Sequence, residues 1–406
     1  MVGIMKPAAT NPAATNAAAT SYLFAGAFLV ACLGQGFVFF NVGILDEAFW
    51  SNQARYVEAG SPEQYNPAHA YGHPGGPVIL GTIVVHHLAG ISYETALPVF
   101  LTLFNSIVIA AIATLCYRLR PDSLWWLPVL GTLSIDKLYA VSTPTSAVVG
   151  PLLVLLTLLT LRITLRIVEH GAVSWWQLAS WSLVAGLAVA TRFDIGSITT
   201  LFLFGVLATT VRRRQLASWS LVAGMAVAAF AVFVACDPYM WYMPVQHVGD
   251  LMGRLILNYR HSTPASIPAT LEPMHVASFS ALAFMGMMLS IIGETKVFPR
   301  RRTIPRQLVL ALVPLTVLLY GIYLSARCPA VRYFIPIVFI WQAFLPLQLF
   351  DLIAGLRFQS LPTEAARVRA RQLCAAVVVL LLVGSQIAFL LDHARLEGQQ
   401  SVVISR

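Results

Sequence analysis

Charge is what this sequence has least of. Asp, Glu, Lys and Arg together make up 11% of its 406 residues, whereas a soluble domain carries about a quarter. A water-facing surface cannot be built from so few, which excludes a soluble enzyme and a nucleic-acid binder. Acidic residues are the scarcer sign, 17 against 26 Lys and Arg, giving a formal net charge of +9. An acidic partner would suit that excess, but so would Lys and Arg gathered on the cytoplasmic side of a membrane protein. Cysteine is sparse as well. Cys32, Cys116, Cys236, Cys328 and Cys374 show neither a CxxC nor a metal-ligand spacing, so they read as small apolar packing residues. A Cys236–Cys328 disulfide stays open if both lie at the outer face.

Hydrocarbon fills the place of charge. Apolar residues account for 58% of the chain and the mean hydropathy is +0.75. Runs of roughly 17 to 25 apolar residues, the length that crosses a bilayer as helix, recur along nearly the whole sequence. The expected fold class is therefore an all-α polytopic membrane protein, with the lipid bilayer as its first partner.

Residues 1–20 hold the near-repeats Pro7 to Asn11 and Pro12 to Asn16, a small-residue tract that predicts a disordered tail. The apolar run from Ser21 to Gly43 lacks a secretory cleavage pattern and reads as a retained first span. A first outer loop follows at 44–96, polar to Gly76 and then apolar from Pro77 to Ile91. Those last residues make only about 22 Å of helix against a hydrocarbon core of about 30 Å. They also include His86 and His87, so an interfacial helix is expected instead of a crossing.

The distribution of Lys and Arg supports that choice. Further spans then fall near 97–118, 123–141, 145–161, 175–191, 195–211, 215–235, 275–293, 307–325, 334–354 and 372–391. Most of the 26 basic residues, including Arg212 to Arg214 and Arg300 to Arg302, come to lie inside. A crossing at Pro77 would put most of them outside, against the positive-inside rule. The expectation is eleven spans, amino terminus inside, with a second outer loop at 236–274. Residues 356–406 are a cytoplasmic basic loop, a last span and an outer tail. Within the bundle, Gln177 to Ala190 and Gln215 to Ala228 differ at one position, which reads as a local duplication or a shared packing solution using Ala and Gly.

With topology assigned, Asp46, Glu47, His69, His73, Asp136, Lys137, Arg192, Asp194, Asp237, Arg254, Arg260, Arg327 and Arg332 fall mostly near helix ends on the outer side. Ionised groups at membrane depth cost about 2.5–3.5 kcal/mol on insertion scales. Such groups pair or line a wet cavity, so a polar chamber opening outward is expected.

The order of motifs around these residues is Leu45-Asp46-Glu47-Ala48, then Tyr56, then Tyr71-Gly72-His73-Pro74-Gly75-Gly76-Pro77. Ala190-Thr191-Arg192-Phe193-Asp194, Asp237-Pro238-Tyr239 and Arg332-Tyr333-Phe334-Ile335-Pro336 follow. In this order the sequence resembles the GT-C superfamily of integral-membrane glycosyltransferases, in particular the branch with protein O-mannosyltransferases and lipid A aminoarabinose transferases. The resemblance covers residues 21–355, the expected catalytic module. It departs from the family pattern in Gly75-Gly76, which replaces a Pro-Leu and is expected to make the interfacial element more flexible. The turn Ser142 to Ser146 carries no acidic residue, and Arg192 stands for the usual Lys.

The resemblance implies a sugar donor linked through phosphate to a polyprenyl chain, and a glycan, lipid or protein acceptor. It implies a bacterial inner (plasma) membrane location with the active site on the periplasmic side. Arg332 is the first candidate for the donor phosphate, then Arg192, with Lys137, Arg254 and Arg260 in reserve; fixed cations there would meet the charge that grows as the glycosidic bond breaks. Asp46 is the candidate base for a hydroxyl acceptor, or an orienting group if the acceptor is anionic, and Glu47 its partner toward a cation or His73. Tyr56, His73, Asp237 and Tyr333 would position substrate. No metal is assigned. A divalent cation stays open through His69 and His73, although Pro74 makes helix there doubtful. A transporter or lipid flippase of the envelope-glycan pathway is the alternative from another class, and a noncatalytic assembly subunit a third.

Overall fold

The computed structural model describes residues 12–44, 46–61, 73–120, 124–136, 139, 142–170, 173–213, 219–261, 339–340, 342–344, 346, 353 and 360–404. Among the described residues the regular structure is helical and no strand occurs. Among the described residues, four helical segments are long and apolar enough to cross a membrane: Ala18–Val42, Tyr93–Leu119, Pro144–Ile167 and Phe193–Thr210. The chain is thus a mostly helical protein with membrane-spanning character. These four coincide with expected spans.

Helix α1 (Pro12–Phe37) continues into a π-helical turn, Val38–Val42. It starts inside the tail expected to be disordered, with Pro12 at the first helical position, where a missing N–H costs nothing. Helix α2 (Glu47–Glu58) and α3 (Gly76–Ala89) belong to the first outer loop. Next come α4 (Tyr93–Leu119), α5 (Trp126–Ser134), α6 (Pro144–His170), α7 (Trp175–Thr191), α8 (Phe193–Arg213) and α9 (Trp219–Cys236). The short α10 (Pro238–Tyr242), α11 (Pro244–His261) and α12 (Glu364–Ile404) complete the described elements. Most of the residues of the expected spans between 275 and 354 lie outside the described part.

One expected span is much shorter than the sequence predicts. Among the described residues of the apolar stretch 123–141, α-helix is confined to the nine residues of α5, about 13 Å of helix. Beyond it Asp136, Ser142 and Thr143 are buried, as are Thr145 and Ser146 in the first turn of α6. The last carbonyls of α5 are taken up from across the bundle: Gln35 Nε2 donates to Leu133 O (3.2 Å) and Ser134 O (2.9 Å). Asn105 Nδ2 in turn donates to Gln35 Oε1 at 3.0 Å. A helix end with no water around it needs such partners. Gly34 permits the approach, since a Cβ there would stand 2.6 Å from Ser134 O.

The core lies where α1 runs along α4, and α7 along both α6 and α9. The duplicated stretches pack on one another through the small face of the first copy. Ser182 Oγ donates to Met225 O at 3.2 Å, and a Cβ on Gly186 would meet Ala229 O at 2.5 Å. The equivalent Gly224 has nothing within 4 Å, so the repeat shares sequence without sharing its contact. Buried hydroxyls of α6 turn back on their own helix, Thr157 to Leu153 O and Thr160 to Leu156 O, which keeps them satisfied in an apolar setting.

Candidate functional site

Three of the sequence motifs converge on the amino-terminal end of α3. Gly75 N–H donates to Thr191 O at 3.3 Å, tying the first outer loop to the turn between α7 and α8. Gly75 has φ +64°, in the left-handed region, with the ring of Trp50 directly against it. Gly76 backs onto the carbonyl of Cys236, the last residue of α9. A Cβ at either position would overlap its neighbour. The two glycines are therefore packing requirements that lock the segment, and the expectation of a looser element gives way to close approach by three chain segments.

Arg192 sits in the break between α7 and α8, 1% exposed. Its Nε and Nη2 donate to the two oxygens of Asp194 at 3.2 and 2.8 Å, a bidentate pair, and its Nη1 donates to Ser146 Oγ at 2.8 Å. His73 Nδ1 lies 3.7 Å from Asp194 Oδ1. Asp194 occupies the first turn of α8, where the helix dipole favours a negative charge. Arg192 thus joins α6, α7 and α8 through a charge-matched pair, and His73 of the first outer loop closes on the same carboxylate.

A second buried cluster begins one residue after Cys236. Asp237 Oδ1 accepts the N–H of Tyr239 (3.2 Å), capping α10, and its Oδ2 lies 2.7 Å from His247 Nε2 of α11. Both side chains of that pair are fully buried. Tyr239 packs on the His247 ring with centroids 4.6 Å apart, and burial together with the Asp250 charge pushes its phenol above the usual range. Nδ1 of His247 has no hydrogen-bond partner among the described residues. Nothing in the sequence pattern singles out His247. Its one signal there is position, since Pro238 and Pro244 open two successive helices that bring residues 237 and 247 together.

Asp46 precedes α2 at φ 60°, ψ 25°, and is the one positive-φ residue other than glycine among the described residues. Asp tolerates the left-handed region better than most side chains, and residues held there cluster at functional sites. Its carbonyl accepts the N–H of Trp50 at 3.2 Å. One turn of α2 therefore links Asp46 to the ring that packs on Gly75. Glu47, in the first turn of α2, is partly buried, and that burial pushes its carboxyl above the ordinary range. Tyr56 lies at the other end of this helix, about 15 Å from Asp46 along the axis, partly buried against the core. The structure brings His73, Arg192, Asp194 and Asp237 to the segments around the start of α3, connects the Asp46 backbone to them through Trp50 with Glu47 next to it in the chain, and leaves Tyr56 apart.

The remaining candidates fall elsewhere. Arg332, Tyr333, Lys137, His69 and Cys328 lie outside the described residues, and α11 carries Arg254 and Arg260, whose side chains are outside them too. Among the described residues, Arg192, Asp136, Asp237 and His247 are at most 1% exposed, so the polar groups expected to line an open chamber are largely buried, and the carboxylates near the start of α3 that remain partly accessible are those of Asp46, Glu47 and Asp194. Such an arrangement can hold a half-exposed carboxylate in one orientation while the buried pairs keep their positions. Compared with protein-family models and with curated proteins, the chain has no match.

Proposed function

We propose that the chain is a membrane glycosyltransferase of the GT-C kind, which moves a sugar from a polyprenyl-phosphate donor to an extracytoplasmic glycan, lipid or protein acceptor. The observation that carries the reading is the union of Asp46, at its left-handed φ of 60°, with the His73–Gly76 segment and the Arg192–Asp194 turn. An acceptor hydroxyl is a weak nucleophile, and a carboxylate that takes its proton during attack contributes roughly 100- to 10,000-fold. Asp46 fills that function. The acceptor oxygen bonds to the anomeric carbon as the bond from that carbon to the phosphate oxygen breaks, the proton passes to Asp46, and polyprenyl phosphate leaves with inversion.

Cations must meet the phosphate charge that grows in this step. Arg332 is the first choice, with Lys137, Arg254 and Arg260 in reserve. Arg192, already spanned by Asp194 and Ser146, is better suited to fixing the wall of the site than to holding phosphate by itself. The reading includes a module at 21–355 and a site on the periplasmic side of the inner membrane.

The test is transfer in reconstituted liposomes, with the donor taken from the charged polyprenyl phosphate that accumulates in a deletion strain. Asp46→Asn keeps size and suits the left-handed backbone, so it is expected to abolish turnover while unfolding and donor binding stay as in the wild type. Asp46→Glu misplaces the carboxylate by one methylene and adds backbone strain, and is expected to retain only a trace of activity. Near wild-type turnover by Asp46→Asn removes it as the base. A deletion strain in which no charged carrier accumulates favours the transporter reading.

A further inference from the structure

The far ends of α2 and α3 carry a second group of chemically able side chains, distant from the carboxylates at the start of α2. Glu58 is the last residue of α2, and His86 and His87 lie in the last turn of α3. One ligand-capable atom from each of the three falls within 4.8 Å of the others. The two helices run parallel: Trp50 near the start of α2 meets Gly75 at the start of α3, and Glu58 at its end pairs with His87 at the end of α3. About 16 Å of helix separates Glu58 from Glu47, so this group is independent of the site described above.

We propose that Glu58, His86 and His87 form a site for a divalent first-row transition ion of the zinc class, clamping the two helices of the first outer loop. Two imidazoles and one carboxylate are a donor set that such ions prefer over calcium or magnesium. The atoms around one tetrahedral zinc stand roughly 3.3 Å apart, given bonds of about 2.0–2.2 Å, so the cluster needs only a small closing movement. His86 is already held as a metal-bound imidazole is: its Nδ1 is hydrogen-bonded to the carbonyl of Ile91, and its ring stacks on Tyr93 with centroids 4.1 Å apart. A carbonyl partner on one ring nitrogen fixes the tautomer that leaves the other free to ligate. Both helices also end at the cluster, so the negative ends of two helix dipoles face the cation. The neighbouring Arg55 does not oppose it, because its charge is matched by Glu94 at 2.7 Å. Three protein ligands leave a fourth position to water. At this distance from Asp46, the ion holds the loop that carries His73 and takes no part in the transfer.

The full chain, stripped with chelator and held in nanodiscs, is titrated with Zn²⁺ by calorimetry, with thermal unfolding followed in parallel. One equivalent is expected to bind and to raise the melting temperature. Glu58→Gln and His87→Gln, which keep the hydrogen-bonding capacity of their side chains, are expected to weaken binding by more than the ~10- to 100-fold that loss of a supporting partner costs a metal site. Both are expected to melt like metal-free wild type. Co²⁺ in place of Zn²⁺ is expected to give the visible bands of a tetrahedral ion in the wild type and not in the variants. Zn²⁺ affinity unchanged in both variants, or no binding by the wild type, overturns the proposal.

Discussion

Three glycines at the ends of α3 separate two physical effects that are usually confounded. Gly75 and Gly90 share φ +64°, but a methyl group on Gly90 would have nothing within 4 Å, while one on Gly75 would face the ring of Trp50. Gly76 has ordinary backbone angles and faces the carbonyl of Cys236. Gly90→Ala therefore measures left-handed strain alone, about 1–2 kcal/mol. Gly76→Ala measures overpacking alone, typically about 1–3 kcal/mol and at the upper end here because the opposing atom is backbone and cannot rotate away. Gly75→Ala combines strain with a side-chain clash and is expected to exceed Gly90→Ala. The assay is equilibrium unfolding of the purified chain in one detergent, followed by tryptophan fluorescence and repeated with Trp50→Leu in each background. In a double-mutant cycle Trp50→Leu is expected to recover part of the Gly75→Ala loss and none of the Gly76→Ala loss. Equal losses for Gly75→Ala and Gly90→Ala, or no coupling to Trp50, would refute the packing account of this segment.

Two further predictions concern the buried pairs. Arg192→Met leaves the Asp194 carboxylate without its bidentate partner and is expected to cost ~3–5 kcal/mol, nearer the lower figure because the Asp194 side chain is 18% exposed. The double variant Arg192→Met with Asp194→Leu is expected to recover much of that, as read by the same unfolding assay; strictly additive losses would show that the two act separately. At the second pair, Asp237→Asn keeps an oxygen to cap Tyr239 N, whereas Asp237→Ala loses both the cap and the bond to His247. The alanine variant is expected to be less stable than the asparagine variant by at least the ~1 kcal/mol that a cap is usually worth, and equal stabilities would remove the capping function.

Apolar run length was enough to find the long helices. Ser21 to Gly43, 97–118, 145–161 and 195–211 each fall within or close to a helix of crossing length, because a lipid-facing helix must be apolar all round and its length is set by the bilayer. The same rule misjudged 123–141. That stretch is apolar, yet Gln35 and Asn105, distant in sequence, stabilise an early end to α5 by accepting and donating where water cannot. Hydropathy sums residues within a window and is blind to a polar partner supplied by another helix. The start of α1 at Pro12 escaped for a related reason, since an Ala-rich tract has high helix propensity even where it lacks a core to bury.

The polar positions were legible for what they are and much less for what they touch. Asp46, His73, Arg192, Asp194 and Asp237 stand out in any scan for charge in an oily chain, and the fold gathers the segments that carry them. Partners are the harder part. Arg192 reads as a free cation suited to phosphate, but Asp194, two residues later, can reach back to it only because α7 ends and α8 begins between them, turning i and i+2 side chains to the same side. Within a continuous helix those two positions would diverge by about 200°. His247 was invisible for the opposite reason, since its partner is ten residues away across two proline-initiated helices and no periodic pattern joins them. Glycine gives the clearest case. A Gly-Gly pair in place of Pro-Leu reads as flexibility when only the local chain is considered, and as tight packing once Trp50 and Cys236 are beside it. The same lack of a side chain serves both, and the surrounding chain decides which applies.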